Sequence, residues 1–287
     1  MLSAPQRALL WTTVSTALFA VMFALPRAAS VDTPVQQIAF LRYVSGFAIT
    51  LVWYALVRLS GRQVRATTPR RLHMLRACFG IAGVMSGVYA VQHIPLGNAQ
   101  AIIMSNGAFT LLFAALFLGD RASRRTLAAA LVCIVGAVLS ARPDLSDHRL
   151  WISAGAAAAF LSALAQAGEL TILKYTASRD DAVRILLFVN GTAAILLTPL
   201  ALFAWQPMTM TALLVVGLMG PIAIIGQTCN IRGYRLASAS FLTPVRYLAV
   251  IFSLLIGIAV FAEIPTPLTL AGAALIVVGG VILSRGR

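Results

Sequence analysis

The sequence predicts an all-α integral membrane protein of ten transmembrane helices arranged as two inverted five-helix repeats. Three observations predict this. Hydrophobic residues make up 60% of the 287-residue chain and charged residues 10%, against roughly 45–50% and about 25% in soluble domains. The apolar residues fall into runs separated by short polar segments. One stretch recurs: residues 116–142 align without gaps on residues 259–285, at an offset of 143, half the chain length.

The recurrence is more than shared hydrophobicity. Asp120 falls on Glu263, and Thr126, Leu127, Gly136 and Arg142 meet Thr269, Leu270, Gly279 and Arg285. An internal repeat sets the architecture before any other reading, and it divides the chain into units 1–146 and 147–287.

At about 20 apolar residues per crossing, spans fall at roughly 8–25, 37–58, 74–94, 97–118, 124–141, 151–173, 184–204, 208–230, 238–261 and 267–284. The first resembles a signal peptide, with Arg7 before it, but its apolar core is longer than a usual h-region and nine spans follow. It is expected to be retained. With the N-terminus in the cytoplasm, 18 Lys and Arg lie inside and four (Arg27, Arg42, Arg142, Arg149) lie outside. This places both termini in the cytoplasm. Five spans per half is odd, so the second half inserts upside down relative to the first, a recurring device of secondary transporters. Glycines such as Gly83, Gly87, Gly272, Gly279 and Gly280 suit close helix packing.

Other classes are excluded by distribution. The formal charge of +14 comes from arginines that punctuate apolar runs, not from a basic stripe, so no nucleic-acid partner is expected. Cys78, Cys133 and Cys229 lie in apolar runs and read as small hydrophobes, with no metal or disulfide role. No phosphate-binding loop, HExxH or GxSxG motif is present.

Several motifs resemble the drug/metabolite transporter superfamily, EamA type, over nearly the whole chain. They are Phe40-Leu41-Arg42-Tyr43, Ile94-Pro95-Leu96-Gly97-Asn98-Ala99, Leu116-Phe117-Leu118-Gly119-Asp120-Arg121 and Phe261-Ala262-Glu263-Ile264-Pro265. Gly233-Tyr234-Arg235 and Pro244-Val245-Arg246-Tyr247 are similar to a subgroup containing S-adenosylmethionine and other metabolite carriers. The resemblance implies ten helices around a central cavity in a bacterial inner membrane, opened alternately to each side. One departure is Gly107, where many members of the family carry proline.

Polar side chains at membrane depth are the candidate site. Burying a central Arg or Asp costs on the order of 2.5–3.5 kcal/mol on insertion scales, so such groups face a cavity or a partner. Arg246 lies about ten residues into the ninth span and shares a face with Ser240, Thr243 and Tyr247. Ser162, Gln166 and Glu169 share a face of the sixth span. Glu169 and Arg246 differ in depth by about 6 Å and can meet, either as a substrate-binding or gating pair or as a structural ion pair. Asn106, near the middle of the fourth span, is either a cavity residue or an interhelical hydrogen-bonding group. Trp11, Ser15, Phe19 and Met22 form a stripe that either stacks a planar substrate or packs helices. Tyr89 and His93 sit near the outer end of the third span. Gln227, Asn230 and Tyr234 form one face of the eighth, close to the cytoplasmic interface. Arg42 is expected near the outer surface, where it can snorkel, with a structural or gating role. Asp120 and Glu263 fall on opposite faces, roughly 30 Å apart. Each is expected to be structural, accepting hydrogen bonds at the N-terminus of its following helix.

The expected function is secondary transport of a small amphipathic metabolite: an amino acid, a nucleoside-like compound or a flavin-like cofactor with an anionic group. Glu169 is the candidate acid for proton coupling. No resident cofactor is expected, and the oligomeric state is a monomer or homodimer. A non-transporting scaffold or receptor, or an intramembrane enzyme, are the alternatives. The enzyme would need a nucleophile with a base, paired acids or a metal cluster at depth, and the sequence offers one deep acid.

Overall fold

The structure is a computed structural model describing residues 3–29, 33–65, 67–110, 113, 124–141, 153–237 and 239–285. Every regular element among them is a helix: α1 (Ala4–Ala29), α2 (Val35–Leu59), α3 (Arg70–His93), α4 (Leu96–Ile103), α5 (Arg124–Ala141), α6 (Ala154–Ala177), α7 (Ala182–Phe203), α8 (Met210–Gly217), α9 (Met219–Leu236), α10 (Ala239–Arg246), α11 (Leu248–Phe261) and α12 (Pro267–Arg285). Pro34, Pro69 and Pro95 precede α2, α3 and α4, where a fixed φ favours helix entry at no cost in hydrogen bonds. Ser153 and Thr209 cap α6 and α8 by accepting the N–H groups of Ala156 and Ala212.

Among the described residues, six helical stretches are long and apolar enough to cross a membrane: α1, α2, α3, α6, α7 and the α8–α9 pair over Met210–Leu236. Shorter apolar helices, Leu127–Ala141, Leu248–Phe261 and Pro267–Ile282, fall on the expected fifth, ninth and tenth spans. Part of the fourth span lies outside the described residues, and so does Asp120.

Among the described residues three spans are interrupted, which apolarity alone did not reveal: the eighth at Leu218, between α8 and α9, and two others at matching places. α4 stops at Ile103, Met104 and Ser105 form a turn, and helix resumes at 106–110. α10 stops at Arg246, Tyr247 forms a turn, and α11 begins at Leu248. The ends of α4 and α10 (103 and 246) are 143 apart, the interval of the sequence repeat.

The main interhelical packing pairs α3 with α6, α1 with α9, α2 with α7, and α5 with α12. In the last pair a Cβ on Gly136 would lie 2.7 Å from the Gly272 carbonyl oxygen, so the two backbones touch directly.

Each end of the bundle is tied across elements. At one end Arg27 of α1 forms an ion pair with Glu263 at 2.8 Å and donates to the Ile94 carbonyl at 2.9 Å. At the other end Asp180 is buried between α6 and α7. It accepts the Thr67 and Thr68 N–H groups at 2.8 and 3.0 Å and faces His73 Nε2 at 2.9 Å. Arg184 Nη1 lies 3.5 Å away, and Arg235 donates to the Asp180 carbonyl at 2.8 Å. Burial raises the Asp180 pKa, but the hydrogen bonds from Thr68, Thr67 and His73 outweigh it and hold the carboxyl down at about 2.

Candidate functional site

Between these two ends lies a cavity of about 100 Å³, walled by α1, α2, α3, α4, α6, α9, α10 and α11. Arginines dominate its polar lining: Arg42 from α2, Arg76 from α3 and Arg246 at the end of α10, with Glu169 from α6 the acid among them. Gln100, Gln166, Gln227 and Asn230 add amides, and Phe19, Met22, Phe23, Met104 and Leu170 supply an apolar wall. Glycines make the room. A Cβ on Gly83 would meet Gln166 Cγ at 3.3 Å, and one on Gly80 would meet the Tyr43 hydroxyl at 2.9 Å.

Glu169 is paired with Arg76, at 3.1 Å, and Arg76 also donates to Gln227 Oε1 at 3.2 Å. Glu169 and Arg246, which by depth could meet, both line the cavity but take different partners: Arg246 Nη1 contacts the Tyr234 hydroxyl at 3.4 Å. Arg76 lies two turns into α3 and is 0% exposed, whereas counting charges had left it with the interfacial arginines. Its spacing to Gly80 and Gly83, i, i+4 and i+7, is the signal that marks one face bearing a charge among small residues.

Arg42 is corrected in the same way. It does not snorkel; it is 3% exposed, lines the cavity, and its guanidinium lies 4.1 Å from the Tyr43 ring centre. Gln227 and Asn230, set aside as interfacial, also line the cavity. Of the α1 stripe, Ser15, Phe19 and Met22 line it, while Trp11 stands apart with the Arg232 guanidinium 4.9 Å from its ring centre. Gln166 lines the cavity and accepts from Asn106 Nδ2 at 3.4 Å, so Asn106 buttresses the wall from behind. Tyr234 reaches the site through Arg246.

Two expected site residues are placed elsewhere. Tyr247 is 3% exposed and turns away from the cavity into a niche between Gly107 and Gly280. Tyr89 stacks on His93, ring centres 3.9 Å apart, outside the cavity lining. Glu263 caps a helix, but not its own following one. It accepts the Leu96 N–H at 3.2 and 2.9 Å, at the start of α4. Ala262, in the left-handed region at φ 53°, turns the chain so that the carboxylate folds back over Gly257. A carboxylate there meets the partial positive charge of the α4 N-terminus as well as Arg27.

The lining sets charges and amides against an apolar wall, a surface suited to holding a polar ligand, and its described part offers no nucleophile with a base. Known proteins agree with that chemistry. The chain is 30% identical over 275 residues to the pseudopaline exporter CntI of Pseudomonas aeruginosa, covering 94% of this chain and 93% of that protein. It is 27% identical to a riboflavin transporter of Brucella anthropi, covering 88% of each. It is 24% identical to an S-adenosylmethionine uptake transporter of Rickettsia bellii, covering 84% and 80%. A solved structure at 20% identity superposes with a TM-score of 0.66 over 96% of both chains, which shows the shared fold. The EamA-like transporter family model matches residues 6–142 and again 153–285. The chain is therefore a multi-pass membrane transporter of small metabolites, not an enzyme, and it belongs to the EamA-like transporter family.

Proposed function

We propose that the protein is a secondary transporter carrying a small amphipathic metabolite through the arginine-lined cavity by alternating access. In this reading it has ten spans in two inverted repeats, 1–146 and 147–287, in a bacterial inner membrane with both termini cytoplasmic, as a monomer or homodimer. The observation that carries it is the pair of breaks that end α4 at Ile103 and α10 at Arg246, 143 residues apart. Helix breaks at corresponding places in two halves free backbone groups and mark the binding region of repeat-built transporters.

The packing supports the repeat. Exchanging the halves turns the α3–α6 contact into the α9–α1 contact and returns α2–α7 and α5–α12 to themselves. The cavity lies where the halves meet, and the ties at Glu263 and Asp180 join one half to the other at opposite ends. Opening one while the other holds exposes the cavity to one side at a time. Glu169, ion-paired with Arg76, is the acid we assign to proton coupling, since a proton arriving there releases Arg76 to substrate. The relatives named for pseudopaline, riboflavin and S-adenosylmethionine support a metabolite of cofactor size.

Cysteine accessibility tests this. With Cys78, Cys133 and Cys229 replaced by serine, Ser15→Cys should react with impermeant thiol reagents from either side of oriented vesicles. A substrate gradient should change the ratio of the two. Labelling from one side alone under all conditions would overturn alternating access.

A further inference from the structure

The charges around the cavity do not cancel. Among the described residues, three arginines and one acid line it. Glu169 and Gln227 are both committed to Arg76. Arg246 has a long contact to a tyrosine hydroxyl. Arg42 is buried, and its Nε and Nη1 meet no acceptor. A buried guanidinium without an anionic partner is a costly group to keep. Gln100, buried in the same lining, has Oε1 without a donor. Arg42 and Arg246 stand on different helices, α2 and α10.

We infer that the transported molecule is a compact dianion with two separate carboxylates, one received by Arg42 and the other by Arg246, and with an N–H or O–H group for Gln100. The inference rests on the transport reading of the same cavity. Two negative charges bring the lining to neutrality. The planar fork of each guanidinium matches one carboxylate bidentately, so donors on two helices fit two acid groups better than one phosphate. The hydrocarbon body between the acids meets Phe19, Met22 and Met104. Arg76, held by Glu169, stays out of the first binding step.

The test uses the purified full chain in lipid nanodiscs for binding and in liposomes for counterflow. The probes are 2-hydroxyglutarate and N-acetylglutamate, each against a partner with one acid capped: 2-hydroxyglutarate 5-methyl ester and N-acetylglutamine. Chloride and phosphate control for general anion binding; riboflavin and S-adenosylmethionine are the neutral and cationic comparators. The diacids are expected to raise the melting temperature and their capped partners to do so at least tenfold more weakly in concentration. Arg42→Gln should weaken diacid binding at least tenfold while leaving the ligand-free melting temperature unchanged or higher, and Arg42→Lys should restore part of it. Arg246→Gln should weaken the same ligands. Capped partners binding as well as the diacids, chloride or phosphate reproducing the shift, or diacid binding unchanged in Arg42→Gln would each overturn the inference. The capped-partner comparison uses unaltered protein, so it decides even if a variant misfolds. Counterflow of riboflavin or S-adenosylmethionine without diacid exchange would sink the dianion and leave transport standing. Arg42-dependent diacid binding with no flux of any probe would sink transport and leave the site standing.

Discussion

Arg76 of α3 holds Glu169 of α6 at 3.1 Å, and the contact joins a helix of the first half to one of the second. Arg76 is fully buried, while the Glu169 side chain keeps 21% of its exposure, on the cavity. Removing one partner of a fully buried pair costs about 3–5 kcal/mol, because the other is left charged and dry. Arg76→Gln leaves its carboxylate partly wet, so the lower end of that range is expected. Glu169→Gln leaves the drier guanidinium and should cost more. The double variant should recover much of the loss, and a double-mutant cycle on thermal unfolding in detergent measures the coupling. Additive single losses would show that the pair does not hold the halves together.

Glu263 ties together Arg27, the start of α4 and the end of α11. Glu263→Gln keeps the shape of the group but weakens both charge-assisted contacts. The expected loss is about 1–2 kcal/mol, from the helix-terminal and ion-pair contributions together. Arg62→Gln, whose pair with Asp181 is 3.5 Å long on a side chain 67% exposed, should cost less than about 1 kcal/mol. The functional readout is specific to one end: labelling of a cavity cysteine from the Arg27 side should rise in Glu263→Gln, with labelling from the Asp180 side unchanged.

Asp180 sets a pH dependence with a definite sign. Its folded pKa, about 2, lies below the ordinary value of 3.8, so its contribution is complete above about pH 4 and is lost as pH falls towards 2. The shift corresponds to roughly 2 kcal/mol at neutral pH. Asp180→Asn should therefore be less stable than the parent at pH 7, with the gap closing between about pH 4 and 2. Urea unfolding of the two proteins at matched pH values checks this; a gap that widens on acidification would contradict the assignment.

Composition and the 143-residue interval made the fold class legible, because both are long-range averages that survive without contacts. The site was legible only in part. Glu169, Gln166, Ser15 and Arg246 stood out because a polar group deep in an apolar run has few other destinations. Arg76 and Arg42 did not, because each lies within about two turns of a helix end, where an arginine facing lipid snorkels and one facing protein is buried. The difference is made by α6 and α7 packing over α3, and by α7 and α9 packing on α2, relationships between the halves that no local pattern carries. Glu263 shows the same limit. Its role as a helix cap followed from its sequence position, but the helix it caps is α4, 167 residues away.

Tyr247 gives the last test, and it concerns the missing side chain at Gly107. The Tyr247 hydroxyl occupies the space a Cβ at 107 would need, 2.6 Å from it, with the ring carbon Cζ at 3.8 Å. Across the niche the ring itself lies against Gly280, where an added Cβ would overlap ring carbons. Forcing a methyl group into a packed site costs typically 1–3 kcal/mol. Gly107→Ala and Gly280→Ala should therefore both destabilise. They should differ in rescue. Tyr247→Phe removes the oxygen that blocks position 107, so it should restore most of the melting temperature lost in Gly107→Ala. It leaves the ring in place, so it should do nothing for Gly280→Ala, which needs Tyr247→Leu. The buried hydroxyl lies beside the Cys133 thiol, a weak partner, and makes no stronger hydrogen bond, so Tyr247→Phe alone should be close to neutral. Equal rescue of both glycine variants by phenylalanine would mean that the niche relaxes as a whole and that the hydroxyl does not determine the residue at 107.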